Sequence, residues 1–233
     1  MSLGKFFGAR RWLRAVGLLL VAWLAVSFGA VALLRWHAPP FTAVMLEQPG
    51  PFARIDYRWV DRKAISRSAA RAAIAAEDQR FLEHHGIDFV SIDRALDEYR
   101  AGDGLRGAST ITQQVAKNLF LWQGRSFVRK ALEAYFALVI ELLWPKQRIL
   151  EMYLNIAELG PGVFGVEAAA RRFFDVPASR LTAPQAALLA AVLPNPRRFS
   201  AARPSAYVRS RQGFILTQMR LLEVRGHYEG LEW

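Results

Sequence analysis

No cysteine occurs in the chain, which removes disulfides, thiolate nucleophiles and thiolate metal ligands together. Histidine is nearly as scarce, with four residues and no metal-ligand spacing among them, so a structural zinc site is not expected. Acid is missing from the first fifteen residues, where Lys5, Arg10, Arg11 and Arg14 are the only charges. Across the whole sequence 31 Lys and Arg face 20 Asp and Glu, a formal net charge of +11. Such a chain suits anionic partners: nucleic acid, lipid headgroups or a phosphorylated substrate. Repeats and low-complexity tails are absent as well.

Charge is missing entirely from Val16 to Leu34 (VGLLLVAWLAVSFGAVALL), nineteen residues, close to the ~20 that span a bilayer as a helix. The basic flank predicts an N-terminus in the cytoplasm and the remainder of the chain outside it. Ala30-Val31-Ala32 loosely resembles a signal-peptidase site, but the apolar run is long for a signal peptide, so an uncleaved anchor is expected. An exported domain argues against nucleic acid as the anionic partner. The expected organisation is a cytoplasmic tail over 1–15, a transmembrane helix over 16–34, a connector over 35–59 punctuated by Pro39, Pro40, Pro49 and Pro51, and a domain over 60–233.

What is present is mostly helical pattern, and the expected fold class is all-α. Phe52 to Val60 alternates enough for one short strand. A small-residue run, Ser66 to Ala76, leads into Glu77-Asp78-Gln79-Arg80-Phe81-Leu82-Glu83-His84-His85-Gly86-Ile87-Asp88, and residues 63–85 are expected to form one helix. Neighbours on a helix point about 100° apart, so Glu77 and Asp78 cannot both face the core. A carboxylate half sheltered at the end of an Ala-rich helix is one way to make a general base with a raised pKa. The plain alternative is a pair of solvated surface charges. Asp88 or Ser91 can start a second helix that ends at Gly102, and Gly102, Gly104 and Gly107 predict a mobile loop.

Thr110 and Gln113 read as a capping box opening a helix whose first turn is rich in hydroxyls and carboxamides. Ser126 can cap a long helix over Phe127–Trp144, which Pro145 ends while starting the next, Lys146–Asn155. Glycines around Pro161 predict a turn, followed by a helix to Phe174. Thr182 and Gln185 form a second capping box, with Pro184 in the first turn, ahead of a small-residue helix to Leu193. A last amphipathic helix is expected over 205–225, with Val208, Ile215, Met219 and Leu222 inward.

In order along the chain stand E-D-x-x-F-x-x-H-x-G-x-D (Glu77 to Asp88), G-x-S-T-x-x-Q-Q-x-x-K-N (Gly107 to Asn118), R-K-x-x-E (Arg129 to Glu133), I-L-E-x-Y-L-N (Ile149 to Asn155) and an apolar segment over Ala186 to Pro194. With these motifs the sequence resembles the monofunctional peptidoglycan glycosyltransferases, the family 51 glycosyltransferases, over roughly residues 60–200, without departure from the pattern. The resemblance implies a lysozyme-like, two-lobed helical domain behind a single membrane helix. No Ser-x-x-Lys is followed by a Lys-Thr-Gly, so a transpeptidase half is not expected.

The implied reaction transfers a growing lipid-linked glycan onto the 4-hydroxyl of lipid II, outside the inner membrane, releasing undecaprenyl pyrophosphate with inversion. By resemblance Glu77 is the base and Glu133 the second essential carboxylate. Asp78, His84, Ser109, Thr110, Gln113, Gln114, Lys117, Asn118, Arg125, Arg129 and Lys130 are the substrate-binding candidates, with the cations set to hold the departing diphosphate. No cofactor is obligatory, and a divalent cation (Mg or Mn) is an optional partner near Glu133. Expected partners are lipid II, the growing glycan strand, the membrane and other cell-wall synthesis or division proteins, with no nucleic acid.

Several residues also have structural readings. Glu133 could simply pair with Arg129 at i,i+4, Lys117 could cap its helix, and His84 is a positioning residue at most. Glu151 and Asn155 would orient the cleft by hydrogen bonds. Phe120, Leu121 and Trp122 are expected to touch the bilayer beside the lipid tail, with a core position as the alternative. Two other functions fit parts of the sequence. A lytic transglycosylase or muramidase also uses a lone glutamate, but needs no cation cluster. A tethered binder of anionic cell-wall polymer needs only the charge.

Overall fold

The computed structural model describes residues 3–48, 55–102, 109–124, 126–231 and 233. It divides into two units, Met1–Ala38 and Pro39–Trp233. The first is one helix, α1 (Leu3–Leu34), in which Trp12–Leu34 is long and apolar enough to cross a membrane. At 1.5 Å per residue those 23 residues reach about 35 Å, beyond the ~30 Å hydrocarbon core. The helix starts well before Val16 because no proline interrupts the basic segment.

In the second unit α2 (Ala43–Leu46) and β1 (Asp56–Tyr57) precede a 3-10 turn at Arg62–Ala64. The helices α3 (Arg67–Glu77), α4 (Phe89–Arg100), α5 (Ile111–Phe120), α6 (Phe127–Leu143) and α7 (Lys146–Ile156) follow. Then come β2 (Glu158–Gly160), β3 (Val163–Phe164), α8 (Val166–Phe174), a 3-10 turn at Ala178–Arg180, α9 (Ala183–Val192) and α10 (Ala206–Val224). Side-chain caps set most helix starts: Ser66, Asp88, Ser126 and Ser205 each accept a first-turn N–H, and Thr110 and Thr182 form full capping boxes with Gln113 and Gln185.

Small side chains decide the central packing. Ala69, Ala70, Ala72 and Ala73 of α3 and Ala186, Ala187, Ala190 and Ala191 of α9 are buried, which lets the two backbones run close together. The outer helix α10 packs on both through Val208, Ile215, Met219 and Leu222. On the other side α5 lies against α6 and α7, with Ile111, Ile140, Ile149, Leu150 and Tyr153 buried between them. Burying each such aliphatic side chain contributes about 1.5–3 kcal/mol. The strands form a small sheet of order β1-β3-β2, with β1 parallel and β2 antiparallel to β3. The expected strand at 52–60 is thus two described residues long, and the glycine-rich turn around Pro161 is the tip of the β2–β3 hairpin.

The single helix expected over 63–85 is not formed. Ser66 caps α3 only at Arg67, and the helix stops at Glu77 because Asp78 turns out at φ −158°, ψ 75°. The Asp78 carboxylate is drawn away by the start of α5, and residues 78–85 coil through bonds such as Phe81 N to Asp78 O. Helical periodicity runs on through this stretch, but two strong polar partners outweigh it. The Gly104 and Gly107 part of the expected mobile loop lies outside the described residues, as does Arg125.

Candidate active site

Breaking α3 at Glu77 sends the two adjacent carboxylates in different directions. Asp78 Oδ2 accepts from the backbone N–H of Ile111 at 2.9 Å, and both Asp78 oxygens lie within 3.0 Å of His84 Nε2. An ionised carboxylate only accepts, so Nε2 carries the hydrogen. This buried pair ties the end of α3 to the start of α5. Asp78 and His84, both among the expected substrate-binding candidates, are engaged here with each other and with Ile111 N.

Glu77 faces the other way. Its Oε2 accepts from Gln114 Nε2 at 2.9 Å, and the Gln114 carbonyl oxygen accepts from Tyr153 Oη at 3.3 Å. Arg211 Nη2, from α10, stands 3.4 Å from Oε1. Burial pushes the Glu77 carboxyl above the ordinary carboxylate range and the neighbouring Asp78 adds to this, while Gln114, Arg211 and Lys117 pull it partway back. The Tyr153 hydroxyl, fully buried and close to both carboxylates, is held well above its usual range. It donates a hydrogen bond and is no base.

Gln114 and Tyr153 also belong to the wall of a cleft of about 520 Å³ that continues along Lys117, Asn118, Trp122 and Arg129. Burial lowers the ammonium pKa of Lys117, opposed by the attraction of Glu133 and Glu77. Glu133 is 4 % exposed and receives Arg129 Nη1 at 2.7 Å and Lys130 Nζ at 2.6 Å. Lys130 also donates to Ser109 Oγ at 3.2 Å, and Arg129 Nε to the Gly124 carbonyl at 2.8 Å. The i,i+4 pairing of Glu133 with Arg129 is real, but it is sheltered rather than solvated. Lys117 and Arg129 thus line the cleft, and Glu133 ties Arg129 to Lys130.

Other candidates have different places. Thr110 and Gln113 spend their polar atoms on the capping box, and Thr110 Oγ1 donates to the Gly86 carbonyl at 2.6 Å. Asn118 is buried in the cleft wall and Ser109 lies exposed at its edge. Glu151 accepts from Arg62 N at 2.6 Å, and Asn155 holds both the N–H and the carbonyl of Val60 at 2.9 Å. Leu121 is buried and Phe120 stacks on Phe136 at 4.5 Å, so of the apolar trio expected at the bilayer only Trp122 is substantially exposed. Arg211 carries no sequence signal of its own. It lies in an amphipathic helix whose polar positions look alike, and only the packing of α10 on α3 singles it out.

A resident divalent ion does not fit these residues. Both Glu133 oxygens are taken by cations, and among the described residues no three His, Asp or Glu side chains converge.

Comparison with known proteins agrees with this geometry. The family model described as transglycosylase matches residues 46–220. A biosynthetic peptidoglycan transglycosylase of Aeromonas hydrophila is 51 % identical over 215 residues, covering 91 % of this chain and 92 % of the relative. Proteins of the same name from Chromohalobacter salexigens (51 % over 232 residues, 95 % and 99 % covered) and Shigella sonnei (56 % over 211 residues, 87 % of each) are similarly close.

Proposed function

The chain belongs to the transglycosylase family, and from that premise we propose how its cleft builds glycan strands. It is a peptidoglycan glycosyltransferase with a helical, lysozyme-like domain and one long apolar helix at its N-terminus. The acceptor is the 4-hydroxyl of lipid II, and the donor is the growing lipid-linked strand. Glu77 takes the hydroxyl proton as the oxygen bonds to the donor anomeric carbon. The bond from that carbon to the pyrophosphate oxygen breaks in the same displacement, which inverts the carbon.

The observation that carries this reading is the placement of Glu77. It is a sheltered carboxylate with a raised pKa, hydrogen-bonded by Gln114, which lines the same cleft as Lys117 and Arg129, and Arg129 in turn holds Glu133. A base poised above the ordinary carboxylate range removes a hydroxyl proton better than a solvated one. Lys117, Arg129 and Lys130 supply fixed positive charge where the diphosphate departs, needing no reorganisation as charge develops. Arg129 offers the guanidinium N–H groups left over from Glu133 and the Gly124 carbonyl, and Lys130 a compact point charge. Glu133 holds that cation pair in place.

The N-terminal helix anchors the enzyme in the inner membrane, with its basic end in the cytoplasm and the catalytic domain on the periplasmic side. The partners are lipid II, the strand and the other cell-wall synthesis and division proteins. No cofactor is obligatory. The family match and the relatives favour synthesis over glycan cleavage.

Purified full-length protein in detergent is expected to convert lipid II into polymer that muramidase digests. Release of anhydro-muropeptides from sacculi, with no polymer formed, would overturn the proposal. A parallel reaction with chelator reads any contribution of Mg or Mn.

A further inference from the structure

A second groove opens beside the cleft and is not used by the chemistry above. Its volume is about 470 Å³, and its walls carry Arg172, Arg197, Arg198 and Arg203 together with Phe173 and Phe199. Among the described residues no carboxylate lines it. Arg197 borders both this groove and the cleft, so the two are neighbours at that residue.

The sequence builds the groove from the loop between α9 and α10 laid against α8 and the β2–β3 hairpin. Asn195 turns the loop, accepting Arg198 N on its side chain at 3.2 Å and Phe199 N on its carbonyl at 2.9 Å. Ser200 Oγ accepts Arg203 N at 3.1 Å, and the Phe199 ring lies 5.1 Å from that of Tyr207. Arg197, Arg198 and Arg203 are therefore presented by a braced loop, and Arg172 by α8. Arg197 reaches Glu158 only through two long 3.4 Å contacts, and among the described residues Arg172, Arg198 and Arg203 pair with no carboxylate. Gathering four guanidiniums around one concavity costs self-repulsion that an anion would relieve. Phe173 and Phe199 give the groove a half-buried apolar side, while the four arginines are exposed and open to an anion through charge-assisted bonds.

The geometry points to this groove as a subsite for the peptide carried by the sugar, its carboxylates held by Arg172, Arg198 and Arg203 and its chain laid against Phe173 and Phe199. This rests on the glycosyltransferase reading, since a peptide joined to the sugar by its N-terminus presents its free carboxylates away from the glycan. With Arg197 bordering both, one ligand passing that residue would keep its sugar in the cleft and its peptide in the groove. A lipid headgroup offers the same negative charge, but no extended chain for the aromatic walls to receive.

The test uses the full chain in detergent, titrated with a soluble disaccharide-peptide and with the same compound amidated at its carboxylates. Wild type should bind the free-carboxylate form roughly tenfold more tightly, as expected for a few charge-assisted bonds at a partly exposed site. The triple variant Arg172→Gln, Arg198→Gln, Arg203→Gln should bind both forms equally, at the affinity wild type shows for the amidated one. The triple Lys variant should recover part of the preference. A Gln variant that keeps the full preference, or loses affinity for both forms alike, overturns the inference. So does loss of binding to phosphatidylglycerol vesicles with the preference intact, which would assign the groove to headgroups. Polymerisation of lipid II is measured separately. A chain that shows the peptide preference yet makes no polymer overturns the proposed function and leaves the groove standing.

Discussion

Arg211 Nη2 lies 3.4 Å from Oε1 of Glu77 although 134 residues separate them. The contact places a cation beside the proposed base, at the carboxylate oxygen that Gln114 does not hold. It favours the charged carboxylate and limits how far burial can raise its pKa. Arg211→Gln should therefore move the pH dependence of polymerisation to higher pH. Activity would fall most at acidic pH and recover as pH rises. A profile that falls evenly at every pH would show that Arg211 supports only the fold.

Glu77→Gln removes the proton acceptor and keeps the shape. Turnover should drop by roughly 10²–10⁴-fold, the usual worth of a positioned base. Stability should respond with a definite sign. The folded-state pKa is raised above the ordinary value of 4.5, so the favourable contribution of the protonated form is complete below that value and is lost as pH rises through the folded pKa. Thermal melts across pH should show wild type losing ground to Glu77→Gln over that window. A constant difference between them would mean that the carboxyl is not perturbed.

Much of this site is legible in the sequence. The capping boxes at Thr110 and Thr182 are local signals, complete within four residues, and both form as expected. Glu77 stands out because an Ala-rich helix ends on it, and Glu133 because two cations precede it at i−3 and i−4. The break after Glu77 is hidden. It depends on Ile111 N and His84 reaching Asp78, and no short window of sequence contains all three. Arg211 is hidden for the same reason. Residues that act through a contact across the chain leave no periodic trace.

Glu133→Ala should strip Arg129 and Lys130 of their shared partner. Removing one member of a buried pair costs about 3–5 kcal/mol, but Lys130 is 48 % exposed, so a loss of roughly 1–3 kcal/mol is expected. Chemical denaturation reads this directly. Lipid II turnover should fall further than the stability change explains, because the cations lose their fixed position. Full activity in a measurably destabilised Glu133→Ala protein would confine the cluster to structure.

Asn155 is wholly buried and makes three side-chain hydrogen bonds, two to Val60 and one to the Glu151 carbonyl. Asn155→Leu keeps the volume and abandons both backbone groups of the half-buried Val60. At about 1–3 kcal/mol for each unsatisfied group, the loss should reach roughly 2–4 kcal/mol. Hydrogen exchange should report it first at Val60, ahead of the rest of the fold. Exchange at Val60 unchanged by the substitution would dismiss the tie.

The backbone of Asn155 supplies a sharper contrast between two glycines. Gly165 sits at φ +83°, and a Cβ there would lie 2.4 Å from the Asn155 carbonyl oxygen, a contact with backbone that no rotamer can relieve. Gly213, inside α10, has nothing within 4 Å of the same hypothetical atom. Gly165→Ala combines left-handed strain with a steric clash and should cost about 3–5 kcal/mol, in the range reserved for severe single substitutions. Gly213→Ala reduces the freedom of the unfolded chain at a helical position and should gain about 0.4–1 kcal/mol. Paired urea titrations decide the matter. If the two alanines shift the midpoint in the same direction, the close approach of Gly165 to the end of α7 does not constrain that position.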